Sequence, residues 1–318
     1  MKDERRYIAR AITLAKRALG HTRPNPPVGA VIIKAGKIVA EGWHKRAGGD
    51  HAEVDALKKA GAKARGATLY VSLEPCSKPG RVGACTDAII KAGIKRVVYA
   101  CDDPNEKNRG KASQVLAKAG IPCSCTQDEA LRKRARELIR AFAKHVTSSI
   151  PYVTVKLAMS LDGKICDDEG CARWISSEEA RRRTGKLREQ VDAIMVGGET
   201  VRKDNPSLLS HGKRNDDLVR VVISRSGNLP GNAQILTDSA PNETLVFDDA
   251  KKALRELGAR GIMHVLCEGG LKLATYLAQE GLVDEWICVV APKVIGPRAI
   301  GEAVRIERMI CLQDSSRS

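Results

Sequence analysis

The stretch EPCSKPGRVGAC, residues 74–85, carries the strongest structural signal in this chain of 318 residues. Its two cysteines, Cys76 and Cys85, are separated by eight residues. The run ATLYVSL before it predicts a strand, and the run CTDAIIKAG that begins at Cys85 predicts a helix. The N-terminus of a helix favours the thiolate form of a cysteine, which is the form that binds metals. The segment therefore predicts a pair of metal-binding thiols.

A histidine and a glutamate that fit this pair lie upstream. His51 and Glu53 begin the amphipathic segment HAEVDALKKAG. Three protein ligands are typical of catalytic zinc, whose fourth position takes water, whereas structural zinc normally has four. H-x-E followed by P-C and a further cysteine is the pattern of zinc-dependent deaminases, in which the glutamate moves protons and is not a ligand. We therefore predict Zn²⁺ on His51, Cys76 and Cys85, with Glu53 as the catalytic proton carrier.

Alternative interpretations exist for the same residues. Taken singly, they could be a core histidine, a surface glutamate and two unrelated buried cysteines, but their joint occurrence argues against this. A zinc-stabilised binding module would need a closed site, with His44 as a possible fourth ligand. A deaminase acting on nucleic acid is the third alternative, because basic residues could neutralise phosphates.

The order of predicted elements indicates two α/β domains. In the first half, strands and helices alternate from residue 67, and a basic helix over residues 129–145 closes the pattern. The segment VTSSIP, residues 146–151, then interrupts it. The alternation resumes with the strand YVTVKLAMS. We predict domains at 1–147 and 148–318, which matches the size of ordinary domains.

Charge and composition indicate which class of substrate the protein binds and where in the cell it lies. Residues 1–147 hold 30 Lys and Arg against 14 Asp and Glu, while the remainder holds 24 of each. The excess predicts an anionic substrate or nucleic acid in the first half. That half has only five aromatic residues, which disfavours base stacking, and they are Tyr7, Trp43, Tyr70, Tyr99 and Phe142. No long apolar run or secretory signal occurs, so we predict a cytoplasmic protein without a membrane partner.

These motifs resemble one family, the bifunctional riboflavin-biosynthesis deaminase and reductase. Similar stretches in the first half are RPNPPVGAVI, GWHKRAGGDHAEVDAL and EPCSKPGRVGAC, and in the second half KLAMSLDGKI, ARWISS, GGETVRKDNPSL, CEGG and APKVIG. The eight-residue cysteine spacing is that of this family, whereas tRNA adenosine and cytidine deaminases generally have C-x-x-C. The resemblance implies a cytidine-deaminase-like α/β/α domain followed by a dihydrofolate-reductase-like α/β domain.

For the first half, the resemblance implies hydrolytic deamination of 2,5-diamino-6-ribosylamino-4(3H)-pyrimidinone 5′-phosphate. The partner would be this phosphorylated pyrimidine rather than nucleic acid, and we expect a homo-oligomer. Asn25 corresponds to the residue that holds the pyrimidine, although an Asx turn before Pro26 would explain it equally. Lys78 and Arg81 are candidates for the substrate rim, but the family usually has histidine at position 78.

For the second half, the resemblance implies NADPH-dependent reduction of the ribosyl group to ribityl, with Lys156 as the catalytic proton-handling residue. Its implied substrate residues are Arg188, Asp204, Leu208 and Glu268, and its cofactor residues are Ala158, Trp174, Thr200 and Gly270. We add Arg225 for the cofactor 2′-phosphate, on charge and position alone. No G-x-G-x-x-G spacing supports a Rossmann site.

The second half also departs from the family pattern. The departures are Ala172, His211 and Ser224, where serine, arginine and aspartate are usual. The tail after residue 301 is short, which predicts that one or two terminal strands are missing and that a sheet edge is unpaired. A deaminase with an inactive reductase half therefore remains an alternative.

Overall fold

The computed structural model describes residues 2–78, 83–166, 175–209, 218–295 and 309–311. The chain divides into two compact units, Met1–Ser148 and Ser149–Ser318. This division falls one residue after the boundary predicted at 147. The functional ranges 1–147 and 148–318 stay predictions.

The first unit contains a five-stranded sheet. Its strands are β1 (Gly29–Lys34), β2 (Lys37–Trp43), β3 (Thr68–Val71), β4 (Arg96–Tyr99) and β5 (Cys123–Cys125). Their order is β2-β1-β3-β4-β5. Strand β1 is antiparallel to both neighbours, whereas β3, β4 and β5 are parallel. The carboxyl ends of β3 and β4 therefore lie side by side, and the loops that follow them meet at one edge.

Helices cover both faces of this sheet. They are α1 (Lys2–Ala15), α2 (Ala52–Ala60), α3 (Cys85–Ala92), α4 (Lys111–Lys118), α5 (Glu129–Leu138) and α6 (Arg140–Ser148), with short 3₁₀ turns at Lys16–Ala18 and Gly61–Ala64. Helices α2, α3 and α4 share a core with Val97, while α1 and α5 share a core with Val98. Adjacent strand residues point to opposite faces, so the unit has the predicted α/β/α layers.

The sequence predicted one basic helix over residues 129–145, and this prediction is wrong because the segment forms two helices. Helix α5 ends at Leu138 and α6 begins at Arg140, with Ile139 between them at φ −100° and ψ 12°. Ile139 is buried in the core beside Leu131. The helical propensity of the segment is thus overridden where Ile139 enters the core.

The second unit is built on a seven-stranded sheet. Its strands are β6 (Tyr152–Ser160), β7 (Ala193–Gly197), β8 (Val219–Ile223), β9 (Thr244–Phe247), β10 (His264–Cys267), β11 (Glu285–Ala291) and β12 (Met309–Cys311). The order is β12-β11-β6-β10-β7-β8-β9, and every pairing among these strands is parallel. We predicted that one or two terminal strands are missing and that a sheet edge is unpaired. Strand β12 pairs with Trp286, Ile287 and Cys288, so the outer edge of β11 is paired over these three residues.

Helices also flank the second sheet on both sides. They are α7 (Glu178–Arg188), α8 (Gly198–Asp204), α9 (Gln234–Thr237), α10 (Ala250–Ala259) and α11 (Leu271–Gln279). Leu254 of α10 and Leu277 of α11 pack in one core with Met195, while Val201 of α8 packs with Ile194 on the opposite face. No helix within the described residues is long and apolar enough to cross a membrane.

Candidate active sites in the two units

The three predicted metal ligands come together in the first unit. His51 precedes α2 as its N-cap, Cys76 lies in the loop after β3, and Cys85 is the first residue of α3. Their candidate ligand atoms all lie within 4.8 Å of one another. The Nδ1 atom of His51 is 3.2 Å from Cys85 Sγ and 3.5 Å from Cys76 Sγ. These distances place all three side chains around one point.

The two thiols are prepared for a divalent cation. The pKa of Cys76 is lowered because hydrogen bonding to Cys85 and to His51 stabilises its thiolate, to which the Cys85 backbone N–H also donates. The pKa of Cys85 is raised by the Cys76 thiolate and by burial. One thiol of the pair thus ionises readily, and a cation would favour loss of the second proton. One imidazole and two sulfurs suit Zn²⁺, so the donor set fits this metal.

Glu53 lies beside this cluster in the first turn of α2. It is only 3% exposed and lines the same small cavity as His51 and Cys76. Burial, and then the nearby Cys76 thiolate, raise the pKa of Glu53 to about 7. A carboxyl group with this pKa can both accept and donate a proton near neutrality.

A buried histidine, His44, fixes the predicted pyrimidine-binding residue. Its Nδ1 is 2.9 Å from the Asp50 carbonyl oxygen, so this nitrogen donates. Its Nε2 then accepts a hydrogen bond from Asn25 Nδ2 at 3.2 Å, which holds the Asn25 amide at the cavity wall. Burial lowers the pKa of His44, in keeping with the neutral tautomer. The ligand group found among the described residues has three members and does not include His44.

A groove of about 500 Å³ lies next to the cluster and includes His51 and Cys76 in its lining. Lys78 is exposed and lines it, whereas Arg81 lies outside the described residues. One wall is the groove loop, residues 102–110, which follows β4 and contributes Asp103, Asn105, Lys107 and Asn108. We did not identify this loop from sequence. Its position after a parallel strand adjacent to β3 was the available signal.

The second unit has a cavity of about 420 Å³ at the carboxyl ends of β6, β7 and β10. It is lined by most of the residues predicted for the reductase half, namely Lys156, Ala158, Arg188, Thr200, Asp204, Glu268 and Gly270. Ser176 and Arg181 also line it and were not predicted. Parallel strands usually place ligand sites at this edge, so the location agrees with the topology.

A buried ion pair crosses this cavity. Arg188 Nε and Nη2 donate to the two carboxylate oxygens of Glu268 at 2.7 and 3.1 Å, and their side chains are only 18% and 9% exposed. Burial opposes ionisation of Glu268, but the charge and hydrogen bonds of Arg188 outweigh it and lower the pKa. Burial lowers the pKa of Lys156, and Arg188 adds to this effect.

Other predicted residues of this half lie elsewhere. Leu208 is 3% exposed and packs in an apolar core with Ile194, and it is absent from the described lining of the cavity. Arg225 lines a separate cavity of about 290 Å³ with Lys272. Ser224 is buried. Trp174 lies outside the described residues, as do Ala172 and His211.

One edge of this cavity suits a phosphate group. Gly270 lines the cavity, and helix α11 begins after it without a side-chain cap. The start of an uncapped helix presents backbone N–H groups that can bind a phosphate. This feature fits a phosphate group of NADPH without the Rossmann spacing.

Comparison with known proteins identifies a family model for each unit. Residues 1–101 match the cytidine and deoxycytidylate deaminase zinc-binding region, and residues 151–310 match the RibD C-terminal domain. The chain is therefore a bifunctional deaminase and reductase. It is 38% identical to the riboflavin biosynthesis protein RibD of Aquifex aeolicus over 96% of this chain and 94% of that protein, and 39% identical to that of Escherichia coli over 95% and 90%. The chain belongs to the RibD family of riboflavin biosynthesis, whose deaminase uses zinc and whose reductase uses NADPH.

Solved structures give the same result. Acinetobacter baumannii RibD is 36% identical, with a TM-score of 0.85 over 96% of this chain and 92% of that one. The diaminohydroxyphosphoribosylaminopyrimidine deaminase/5-amino-6-(5-phosphoribosylamino)uracil reductase of Thermotoga maritima is also 36% identical, with a TM-score of 0.85 over 93% and 88%.

Proposed function

We propose that the first unit deaminates 2,5-diamino-6-ribosylamino-4(3H)-pyrimidinone 5′-phosphate. The observation that carries this proposal is the convergence of His51, Cys76 and Cys85 beside a buried carboxyl group, Glu53. In the proposed roles, the three ligands hold zinc and Asn25 contacts the pyrimidine. Lys78, which lines the groove, is proposed to bind the phosphate end, and Arg81 remains a candidate predicted from the sequence.

Glu53 performs the proton transfers of this reaction. Zinc, when bound, supplies an acidified water for attack on the amine-bearing ring carbon. Glu53 would take a proton from the attacking water and pass it to the ring nitrogen. It would then take the proton of the hydroxyl group formed on the ring carbon and pass it to the amine, which leaves as ammonia. Burial raises the pKa of Glu53, which favours its role as a proton donor. Burial around Glu53 limits the access of bulk water to these steps.

The second unit reduces the ribosyl group of the deaminated product. The sugar ring would open to an imine, and NADPH, when bound, would supply the hydride that reduces this imine to the ribitylamino chain. Lys156 is the proposed donor of the proton that this reduction requires. Its lowered pKa makes the ammonium group a better proton donor. Arg188 and Glu268 orient the substrate, together with Asp204. Leu208 packs in the apolar core, and we assign it no contact with the substrate. Ala158, Thr200 and Gly270 line this cavity and are the proposed cofactor residues. Trp174 and Arg225 remain cofactor residues predicted from the sequence alone.

The proposed substrate is a small molecule and not nucleic acid. Tyr7, Tyr70 and Tyr99 are each at most 7% exposed, and Phe142 is the one ring of this set in the described lining of the groove. Trp43 is covered by three cations, with Arg17, Lys45 and Lys59 at 4.9–5.3 Å from its ring centre. Base-stacking surfaces would require exposed rings. We also propose that the protein is cytoplasmic and that it forms a homo-oligomer. Sedimentation of the native protein would test the oligomeric state.

The test is to incubate the purified full chain with zinc and the diamino pyrimidine phosphate, with and without NADPH. Ammonia and NADPH are followed separately. We expect ammonia in both samples, and NADPH oxidation only after ammonia release. Ammonia without NADPH oxidation would leave a deaminase with an inactive reductase half. Ammonia release from tRNA and not from the pyrimidine would overturn the proposed substrate.

A further inference from the structure

A buried glutamate, Glu74, has no place in the proposed chemistry. It precedes the Pro75–Cys76 dipeptide and is only 2% exposed. Its Oε2 accepts hydrogen bonds from the backbone N–H groups of Asp103 at 3.2 Å and Gly110 at 3.0 Å. Its Oε1 accepts from the Ala112 N–H at 3.2 Å. One carboxylate therefore binds both ends of the groove loop.

Glu74 also replaces a missing helix cap. The N-cap residue of α4 is Gly110, at φ 73°, which offers no side-chain acceptor. The N–H groups at a helix start need acceptors, and a carboxylate there is also favoured by the helix dipole. Glu74 supplies this carboxylate from the segment that carries Cys76. The start of α4 is thus tied to the metal-ligand segment.

A second buried side chain, Asn108, connects the loop to the same segment through hydrogen bonds. Its Oδ1 accepts hydrogen bonds from Ser77 N at 2.9 Å and from Ser77 Oγ at 3.1 Å. Its Nδ2 donates to Asp103 Oδ2 at 2.7 Å. Asn108 and Asp103 are each 8% exposed, so these bonds are shielded from water.

The tied loop forms the wall of the substrate groove. Asp103, Asn105 and Lys107 line the groove, and Asp103 also lines the inner cavity that contains Glu53. We propose that Glu74 and Asn108 are positioning residues, which hold this wall at a fixed distance from the metal site. Glu74 lines the inner cavity and Asn108 lines the groove, but the polar atoms of both side chains are hydrogen-bonded to the loop or to Ser77, so we assign them an action through the loop. This inference rests on the proposed deaminase function of the first unit.

The first test is Glu74→Gln in the full-length, zinc-loaded chain. Glutamine keeps the shape but turns one acceptor into a donor that faces backbone N–H groups. We expect KM for the pyrimidine to rise about tenfold, with kcat within about threefold and zinc content unchanged. A purely structural role would not separate KM from kcat in this way.

The matched control is Asp128→Asn. Asp128 caps α5 and accepts the Leu131 N–H at 3.1 Å, and it is absent from the described lining of the groove. The control makes the same carboxylate-to-amide change at another helix start of this unit. KM should stay within about twofold, because asparagine is also a good cap. Equal rises of KM in both variants would overturn the proposal.

A second variant, Asn108→Asp, keeps the acceptor for Ser77 but sets a carboxylate against Asp103. It should raise KM as Glu74→Gln does. In the double variant, the fold-increase of KM should be smaller than the product of the two single fold-increases, because both residues act on one loop. Multiplying effects would overturn the proposal.

A readout without substrate distinguishes failure of this inference from failure of the proposed function. Amide hydrogen exchange at Asp103, Gly110 and Ala112 should be slow in the unaltered chain and at least about tenfold faster in Glu74→Gln. The Asp128→Asn control should retain slow exchange at these amides. Unchanged exchange in Glu74→Gln would overturn the inference, whatever substrate the enzyme accepts.

Discussion

Glu53 is buried beside the metal site, and this burial raises the pKa of its carboxyl group. We expect Glu53→Gln to reduce ammonia release at least about 100-fold, because the amide cannot carry a proton. Zinc should remain bound, since all three proposed ligands are intact. The measurement is ammonia release together with the zinc content of the same sample.

The control for this variant lies on the same helix. Asp55 binds Lys59 at the outer side of α2 and accepts the Trp43 N–H. Asp55→Asn should keep ammonia release within about threefold of the unaltered chain. Full activity of Glu53→Gln would contradict the proton-carrier role.

The Arg188–Glu268 pair supports a second prediction. Glu268→Gln leaves the Arg188 guanidinium buried without an opposite charge, so we expect a loss of about 3–5 kcal/mol of stability in the second unit. The exposed pair Arg260–Glu243 provides the control, and Glu243→Gln should cost no more than about 1 kcal/mol. Calorimetric unfolding compares the two. Equal costs would show that burial of the Arg188–Glu268 pair is energetically irrelevant.

Residue types whose chemistry is specific were predictable from sequence. His51, Cys76 and Cys85 were identified because imidazole and thiols with this spacing have few other uses. Glu74 and Asn108 were not, since a glutamate or asparagine in a loop gives no sign of which backbone groups it will meet. Their partners are set by the approach of β3 and β4, which is a tertiary event.

At the scale of elements, the alternation of strands and helices was predictable where apolar periodicity is strong. Strands β9 and β12 were not predicted from the sequence. Helix α8 was missed because it follows β7 without an intervening loop. The break at Ile139 depends on core packing, which no local pattern encodes.

The contact between β2 and α2 gives a prediction at this scale. A Cβ atom on Gly42 would overlap the Ala52 carbonyl oxygen and lie 2.5 Å from the Ala56 nitrogen, both in the backbone of α2. We expect Gly42→Ala to displace α2, lower stability by about 1–3 kcal/mol and weaken zinc binding, because His51 caps this helix.

Gly83 is the control for that change, since a Cβ there meets no atom of the described residues within 4 Å. Gly83→Ala should preserve both the unfolding temperature and the zinc content. Normal zinc affinity in Gly42→Ala would contradict the claim that β2 sets the position of α2.

At the scale of the whole molecule, the two units have separate sheets and separate cores. Removing zinc with a chelator should therefore abolish ammonia release and leave reduction of the deaminated product unchanged. The measurement is NADPH oxidation with that product before and after chelation, with zinc re-addition as the control. A parallel loss of both activities would contradict independent sites.

The central claim is a zinc ion held by one imidazole and two thiolates beside Glu53. X-ray absorption at the zinc edge of the purified full chain tests it most directly. We expect two sulfur neighbours at about 2.3 Å and two nitrogen or oxygen neighbours at about 2.0–2.1 Å, with one sulfur lost in Cys85→Ser. Three or more sulfur neighbours, four ligands supplied by the protein alone, or no bound zinc would contradict the account.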